Sequence, residues 1–222
     1  AAQRQAQKLL QELNGLYEID SKAYYSTCSV GITLFGQGAT DAIEVFKQAD
    51  IAMHQAKQQD DVSISFFDPA MEDALLARVS LDQELREALA RRQFALYYQP
   101  KVQANGTIVG AEALIRWHHP ERGVVLPGEF IPAAEASGLI QDIERWVLET
   151  AIVQLQRWQQ MPSHAHLSLN VNVTSNQFHR PDFVVLLEQL IAEHPIDPAG
   201  LMLELTESTL IADLETTRTR IE

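Results

Sequence analysis

The second half of the chain alternates short apolar runs with longer stretches of helical periodicity. The short runs are rich in apolar and β-branched residues, and they predict strands at residues 107–117, 166–173 and 201–205. The longer stretches place apolar residues three or four positions apart, and they predict helices at residues 140–160, 182–193 and 208–221. A repeated order of strand and helix indicates parallel βα units.

The first part of the chain has shorter patterned segments. Residues 25–33 alternate in polarity like a strand, residues 49–57 form an amphipathic helical pattern, and residues 62–67 predict a closing strand. A longer helix is predicted at residues 71–92. We interpret it either as a helix that packs on the second domain or as a lever that couples two domains.

A domain boundary is expected near Asp68 and Pro69, where the last strand of the first part ends. We therefore assign residues 1–68 to one domain and residues 69–222 to a linker helix and a second domain. The second domain is predicted to be α/β, because its strands and helices alternate.

Three polar residues lie at or near the C-terminal ends of the predicted strands of the second part: Glu112, Asn172 and Glu204. Right-handed crossovers bring the carboxyl ends of consecutive parallel strands to one edge, so we expect these side chains to converge. An alternative is that Asn172 and Glu204 cap the helices that follow them, since Asn and acidic residues suit helix N-termini.

Arg116 follows Glu112 by four residues in the same predicted strand. A carboxylate can bind a hard divalent cation, and a guanidinium can bind phosphate oxygens through its planar fork. The pair therefore favours metal-assisted phosphate chemistry, although the same spacing also suits a simple surface ion pair. Three oxygen ligands favour Mg²⁺ or Mn²⁺ over zinc.

Composition narrows the classes of partner. The formal net charge of −13 argues against binding of DNA or RNA polymers. Binding of a phosphate-bearing small molecule remains compatible with this net charge, because a divalent cation and Arg116 would make the local electrostatic potential positive. No run approaches the roughly 18 apolar residues of a membrane span. The single cysteine, Cys28, excludes a disulfide within the chain.

The motif Glu112-Ala-Leu-Ile-Arg-Trp117 resembles the signature of the EAL domain, the bacterial cyclic di-GMP phosphodiesterase. Further segments resemble other motifs of this family, in order, at residues 94–102, 126–135, 137–140, 172–178 and 204–207. The resemblance extends from about Leu75 to the C-terminus. It implies a TIM-type (β/α) barrel of EAL type, incomplete in this chain.

The resemblance also implies roles for individual residues. Metal ligands would be Glu112, Asn172 and Glu204, and Arg116 would contact a substrate phosphate. Glu207, the second acid of the Glu-x-Thr-Glu motif, would support a loop that shapes the metal site, and it is assigned to the catalytic residues together with Glu112. Gln99 lies at a position associated with guanine contacts.

The implied reaction is the hydrolysis of cyclic di-GMP to linear pGpG with Mg²⁺ or Mn²⁺. The family's later Asp pair, Lys, Glu and Gln have no counterparts in the sequence, so we expect the chain to be part of a longer protein. The alternative function is a catalytically inactive EAL-type receptor or regulatory module for cyclic di-GMP. We further expect a homodimer and a cytoplasmic domain, with or without a sensor or membrane segment upstream.

The N-terminal segment resembles the last third of a GGDEF domain, the diguanylate cyclase fold of α+β type. His54 stands where Tyr is usual, and Asp60 and Asp61 stand where Gly and a basic residue are common. The GGDEF signature itself is absent, so no cyclase activity is expected from this chain. GTP is an expected partner only of a complete GGDEF domain.

Overall fold

The computed structural model describes residues 2–35, 41–58 and 64–205. The chain divides into two compact units, residues 1–80 and 81–222. The helices of the described part are α1 (Ala2–Leu13), α2 (Ala42–Gln58), α3 (Pro69–Ala90), α4 (Pro127–Ser137), α5 (Ile140–Gln159), α6 (Ser175–His179) and α7 (Phe183–Glu193). The strands are β1 (Gly15–Ile19), β2 (Lys22–Ser26), β3 (Val30–Ile32), β4 (Ile64–Phe66), β5 (Phe94–Val102), β6 (Ile108–His119), β7 (Gly123–Val125), β8 (Ser168–Val173) and β9 (Leu201–Leu205).

The first unit contains a β-hairpin and a parallel strand pair. Strands β1 and β2 pair antiparallel, whereas β3 and β4, which precede and follow α2 in the sequence, pair in parallel. In helix α2, Ala52 is completely buried and Ala56 is almost completely buried. Its backbone lies so close to β3 that Gly31 has no room for a side chain, because a Cβ atom there would be 2.0 Å from the Ala49 carbonyl oxygen.

In the described part of the second unit, five strands form one sheet in the order β5-β6-β8-β9, with β7 also paired to β6. Strands β6, β8 and β9 run parallel to one another, as the alternation of strands and helices predicts. Strand β5 runs antiparallel to β6, which the sequence pattern did not predict. Helices α5 and α7 supply apolar side chains that pack against the parallel strands.

The main core lies between the parallel strands and helix α5. Burying an apolar side chain of the size of Val, Leu or Ile stabilises a fold by about 1.5–3 kcal/mol. Residues two apart on a strand share a face, so the core residues of β8 leave Asn170 and Asn172 on the opposite side of the sheet. The fully or almost fully buried core members include Leu148, Ala151, Ile152 and Leu155 of α5 and Leu169, Val171 and Val173 of β8.

A second core is built around aromatic side chains near the β6–β7 hairpin. Trp117 and Phe130 are completely buried, and their ring centroids lie 5.8 Å apart. Phe94 contacts both rings, at 6.0 Å and 5.5 Å. Leu85 and Ala88 near the end of α3 belong to the same cluster, so this part of the predicted linker helix packs within the second unit.

Several predicted elements differ in detail from the structure. The strand expected at residues 25–33 is two strands, β2 and β3, separated by residues 27–29. Helix α3 begins at Pro69, the expected domain boundary, whereas the division between compact units falls within α3, after Ser80. The helix predicted at residues 208–221 lies outside the described residues. Within the described ranges, no helix combines the length and apolar character needed to cross a membrane.

Gly110 allows β6 and β8 to approach each other closely. A Cβ atom at this position would lie 2.4 Å from Ser168 Oγ and 2.5 Å from the Ser168 carbonyl oxygen. We expect Gly110→Ala to lower the free energy of unfolding by about 1–3 kcal/mol, because the strands must separate to accept the methyl group. Urea unfolding measures this change.

Gly128→Ala is the matched control, since Gly128 lies in the first turn of α4 with open space where a Cβ atom would be added. It is expected to be neutral or stabilising by up to about 1 kcal/mol, the helix propensity difference between Ala and Gly. Equal stability of the two variants would contradict the close-approach explanation.

Candidate functional site

The sheet of the second unit has one apolar face and one polar face. Ala111, Ala113, Leu169 and Val171 belong to the core on the helix-packed face. Because side chains alternate along a strand, their neighbours lie on the opposite side. We call this opposite side the inner face, and its polar side chains include Gln99, Lys101, Glu112, Arg116, Asn170, Asn172 and Glu204.

Strand register brings these residues into adjacent rows. Gln99 on β5 pairs with Glu112 on β6, and Glu112 pairs with Asn170 on β8. Asn172 on β8 pairs with Glu204 on β9. Directly paired residues project to the same face, so all three predicted ligands share the inner face.

Glu112 lies within β6 and not at its C-terminal end, contrary to the sequence interpretation. Strand β6 continues to His119 because it pairs with β5 and β7 beyond this point. Its parallel pairing with β8, however, ends at Ala113. Glu112 therefore lies near the end of the parallel-paired part of the strand.

Glu112 and Asn172 are in direct contact. The Asn172 side-chain amide donates a hydrogen bond to Glu112 Oε1 at 2.7 Å. This hydrogen bond uses the side-chain nitrogen of Asn172. The side-chain oxygen of Asn172 and the second carboxylate oxygen of Glu112 can therefore coordinate a cation. Asn172 is not the helix cap considered above, because Thr174 fills that role by accepting a hydrogen bond from the Gln177 backbone N–H.

Glu204 receives two hydrogen bonds on one oxygen. Lys101 Nζ lies 2.5 Å from Glu204 Oε1, and the Asn170 amide donates to the same atom at 2.6 Å. The Lys101 hydrogen bond lowers the pKa of Glu204 from its usual value, and the Asn170 hydrogen bond adds to this effect against partial desolvation. Glu204 is therefore held as a carboxylate.

Arg116 and Gln99 lie on the inner face near Glu112. The Arg116 guanidinium donates to the Ile115 carbonyl oxygen at 2.8 Å and lies 5.8 Å from the centre of the Tyr97 ring. Gln99 is exposed, so it is accessible to a ligand. Glu207, the sixth predicted residue, lies outside the described residues.

The donor chemistry of the inner face fits a hard divalent cation. Within the described ranges, no three His, Cys, Asp or Glu side chains gather, but two carboxylates and two carboxamides do. Asn170 is 7% exposed, and its buried Oδ1 has no hydrogen-bond partner among the described residues. Glu112, Asn172 and Glu204 supply the carboxylate and amide oxygens that Mg²⁺ and Mn²⁺ prefer.

Sequence reasoning missed Lys101 and Asn170. The available signal was strand parity: Lys101 follows Gln99 by two residues, and Asn170 precedes Asn172 by two residues. Residues two apart on a strand share a face, so both side chains could have been assigned to the same face as the predicted ligands. Their contacts with Glu204 could not be predicted, because each joins residues of different strands that are far apart in the sequence.

A buried carboxyl group supports the loop that follows Asn172. Glu144 of α5 accepts a hydrogen bond from Thr174 Oγ1 at 2.7 Å. Burial raises the pKa of Glu144, and the Thr174 hydrogen bond lowers it in part. Glu144, Thr174 and Asn172 together line part of a mainly apolar cavity of about 220 Å³ between α4, α5 and the sheet.

Comparison with known proteins assigns the two units to families. The EAL domain model matches residues 82–222, and the diguanylate cyclase GGDEF domain model matches residues 1–62. The sheet of the second unit contains parallel strands, with helices packed on one face and polar side chains on the inner face. This architecture defines the second unit as part of a TIM-type barrel. The chain belongs to the EAL domain family, in the tandem arrangement in which a GGDEF domain precedes the EAL domain. The predicted family and fold class are confirmed.

Two curated relatives resemble almost the whole chain. One is the bifunctional diguanylate cyclase/cyclic di-GMP phosphodiesterase MucR of Pseudomonas aeruginosa, with 37% identity over 95% of this chain and 31% of its own length. Another is the cyclic di-GMP phosphodiesterase PdeR of Escherichia coli, with 34% identity over 97% of this chain and 32% of its own length. The chain therefore spans about a third of the length of these relatives.

Solved structures show the same fold. A phosphodiesterase structure of PaMucR in complex with c-di-GMP has a TM-score of 0.61 and 42% identity, and the match covers 64% of this chain and 57% of that one. The FimX EAL domain of Xanthomonas citri in complex with c-di-GMP has a TM-score of 0.57 and 27% identity, with coverage of 69% and 58%.

We expect Glu144→Gln to stabilise the protein at neutral pH. A carboxyl group with a raised pKa is protonated more readily in the folded state than in the unfolded state, so its ionisation opposes folding. This penalty is absent below the ordinary value of 4.5 and grows as the pH rises through the raised pKa of the folded state. Glutamine keeps an acceptor for Thr174 and removes the charge.

Thermal unfolding from pH 4 to pH 8 checks this expectation. The melting temperature of Glu144→Gln should exceed that of the wild type at pH 8, and the difference should shrink toward pH 4. Glu149→Gln, on an exposed part of the same helix, is the control and should show no such trend. A pH-independent difference for Glu144→Gln would argue against burial as its cause.

Proposed function

We propose that the protein containing this chain hydrolyses cyclic di-GMP to linear pGpG with the help of a divalent cation. One observation carries this proposal: on the inner face, the Asn172 side-chain amide donates a 2.7 Å hydrogen bond to Glu112 Oε1. Glu204 lies beside Asn172 in the strand register. Both relatives described above are named for cyclic di-GMP phosphodiesterase activity, which supports the substrate class.

The proposed reaction adds one water molecule across one phosphodiester bond and opens the ring. Glu112, Asn172 and Glu204 would hold Mg²⁺ or Mn²⁺. Such a cation supplies a water of lowered pKa and neutralises charge that develops on the phosphate. The chain's own residues bind and orient the substrate around it.

Arg116 and Gln99 are proposed to bind the dinucleotide. The planar guanidinium of Arg116 suits two oxygens of one phosphate group, and Arg116 lies on the same face of β6 as Glu112, four residues further along. The exposed amide of Gln99 can donate and accept hydrogen bonds with a guanine edge. Glu207 is proposed to support the loop next to the metal site. GTP binding by a complete GGDEF domain and formation of a homodimer stay predictions.

The first test is incubation of the longest natural form of the protein with cyclic di-GMP and Mg²⁺, with linear pGpG followed by chromatography. The wild type is expected to form pGpG, and Glu112→Ala is expected to lose at least about 100-fold in rate, because a ligand carboxylate is removed from the cation. Glu188→Ala, on the exposed surface of α7, is the control with an equal loss of charge.

The outcomes separate the two candidate functions. Bound but uncut cyclic di-GMP in the wild type would favour the receptor function over the enzyme. Near-normal turnover of Glu112→Ala would contradict its role as a ligand. Equal losses in Glu112→Ala and Glu188→Ala would attribute the effect to net charge and not to the site.

We expect Arg116→Ala to lower kcat/KM by roughly thirtyfold, because a charge-assisted hydrogen bond contributes about 2 kcal/mol. Arg116→Lys should fall between the wild type and Arg116→Ala, since lysine keeps the charge and loses the planar fork. Mg²⁺ affinity, measured by calorimetry without substrate, should change little in both variants. Unchanged kinetics in Arg116→Ala would remove its proposed contact with phosphate.

A further inference from the structure

Lys101 contacts Glu204 across the inner face, between strands that are not neighbours. Strands β6 and β8 separate β5 from β9 in the sheet. In a flat sheet the backbones of β5 and β9 would be about 14 Å apart, and side chains would stand perpendicular to the sheet. Lys101 Nζ nevertheless lies 2.5 Å from Glu204 Oε1. Lys101 therefore bridges β5 and β9, the strands at the two ends of the described sheet order, with the two side chains leaning toward each other over the inner face.

The charged side chains of the described inner face include equal numbers of acids and bases. The two carboxylates, Glu112 and Glu204, are matched there by two cations, Lys101 and Arg116. Lys101 is the only lysine in the sequence between residues 81 and 222. The ammonium group supplies the positive charge next to Glu204.

An ammonium group and a divalent cation at the same carboxylate repel each other. Lys101 and Asn170 both donate to Glu204 Oε1, so one oxygen of this carboxylate is already occupied. The charges of Mg²⁺ and Lys101 would lie a few ångströms apart in a partly solvated site, where unit charges still interact appreciably. Asn170 adds a hydrogen bond without charge and so lacks this repulsion.

We propose that Lys101 is a built-in counter-ion of Glu204 that opposes divalent-cation binding at the inner face. It holds Glu204 when the site carries no metal, and it must move or share the carboxylate when a cation binds. The affinity of the site for Mg²⁺ is therefore set below the value that its oxygen ligands alone would give. This inference rests on the proposed role of Glu204 as a metal ligand.

The test is calorimetric titration of Mg²⁺ into the longest natural form of the protein, without substrate. Lys101→Met removes the charge and keeps a side chain of similar length, and it should bind Mg²⁺ on the order of tenfold more tightly. Lys101→Arg keeps the charge and should bind like the wild type. Lys22→Met removes an equal charge from an exposed strand of the first unit, far in sequence from the site residues, and should also bind Mg²⁺ like the wild type.

A second measurement uses no added metal. In EDTA, Lys101→Met should melt at a lower temperature than the wild type, because Glu204 loses its counter-charge. Saturating Mg²⁺ should raise the melting temperature of Lys101→Met by more than that of the wild type. Weaker or unchanged Mg²⁺ binding in Lys101→Met would overturn the proposal, because Lys101 would then position Glu204 for the metal or play no part.

The proposal and the proposed function can fail separately. If Lys101→Met and the wild type bind Mg²⁺ equally while the wild type forms pGpG, the counter-ion role fails and the enzyme stands. If Lys101→Met binds Mg²⁺ more tightly and neither protein cuts cyclic di-GMP, the counter-ion role stands and the phosphodiesterase fails.

Discussion

The burial of one face of the parallel strands under helix α5 is the constraint on which the candidate site depends. Ala111 and Leu169 belong to the core beneath the helices, and the period of two residues along a strand then fixes Glu112 and Asn170 on the opposite face. No separate interaction is needed to place these polar groups there. The same hydrophobic burial that stabilises the fold also directs the polar residues to the face where a ligand can bind.

The parallel part of the fold could be predicted because its residues carry clear local patterns. The runs that become β8 and β9, and the helical period that becomes α5, are readable in sequence. Glu112, Asn172 and Glu204 could also be placed together, since parallel βα units leave few arrangements for consecutive strands. The shared face of these residues was therefore a consequence of pattern and chain topology.

The remaining features depend on interactions between distant residues. The antiparallel direction of β5 has no signature of its own, because a strand pattern does not specify which partner it pairs with. Thr174, and not Asn172, caps α6, because β8 continues to Val173 and Asn172 therefore lies inside the strand. The contact of Lys101 with Glu204 joins residues 103 positions apart on strands that are not neighbours, so no local pattern indicates it.

The hydrogen bonds of the inner face run diagonally across the strands. Glu112 pairs in register with Asn170 but bonds to Asn172, and Asn170 pairs with Met202 but bonds to Glu204. Each bond thus joins a residue to the position two beyond its register partner, which is the direction of stagger in a barrel. Insertions or deletions of one residue inside β6, β8 or β9 would turn the polar side chains into the core. Changes in chain length can be accommodated between the strands, for example at residues 103–107 or 160–167. Natural variation in length should therefore fall in the connections and not within the strands.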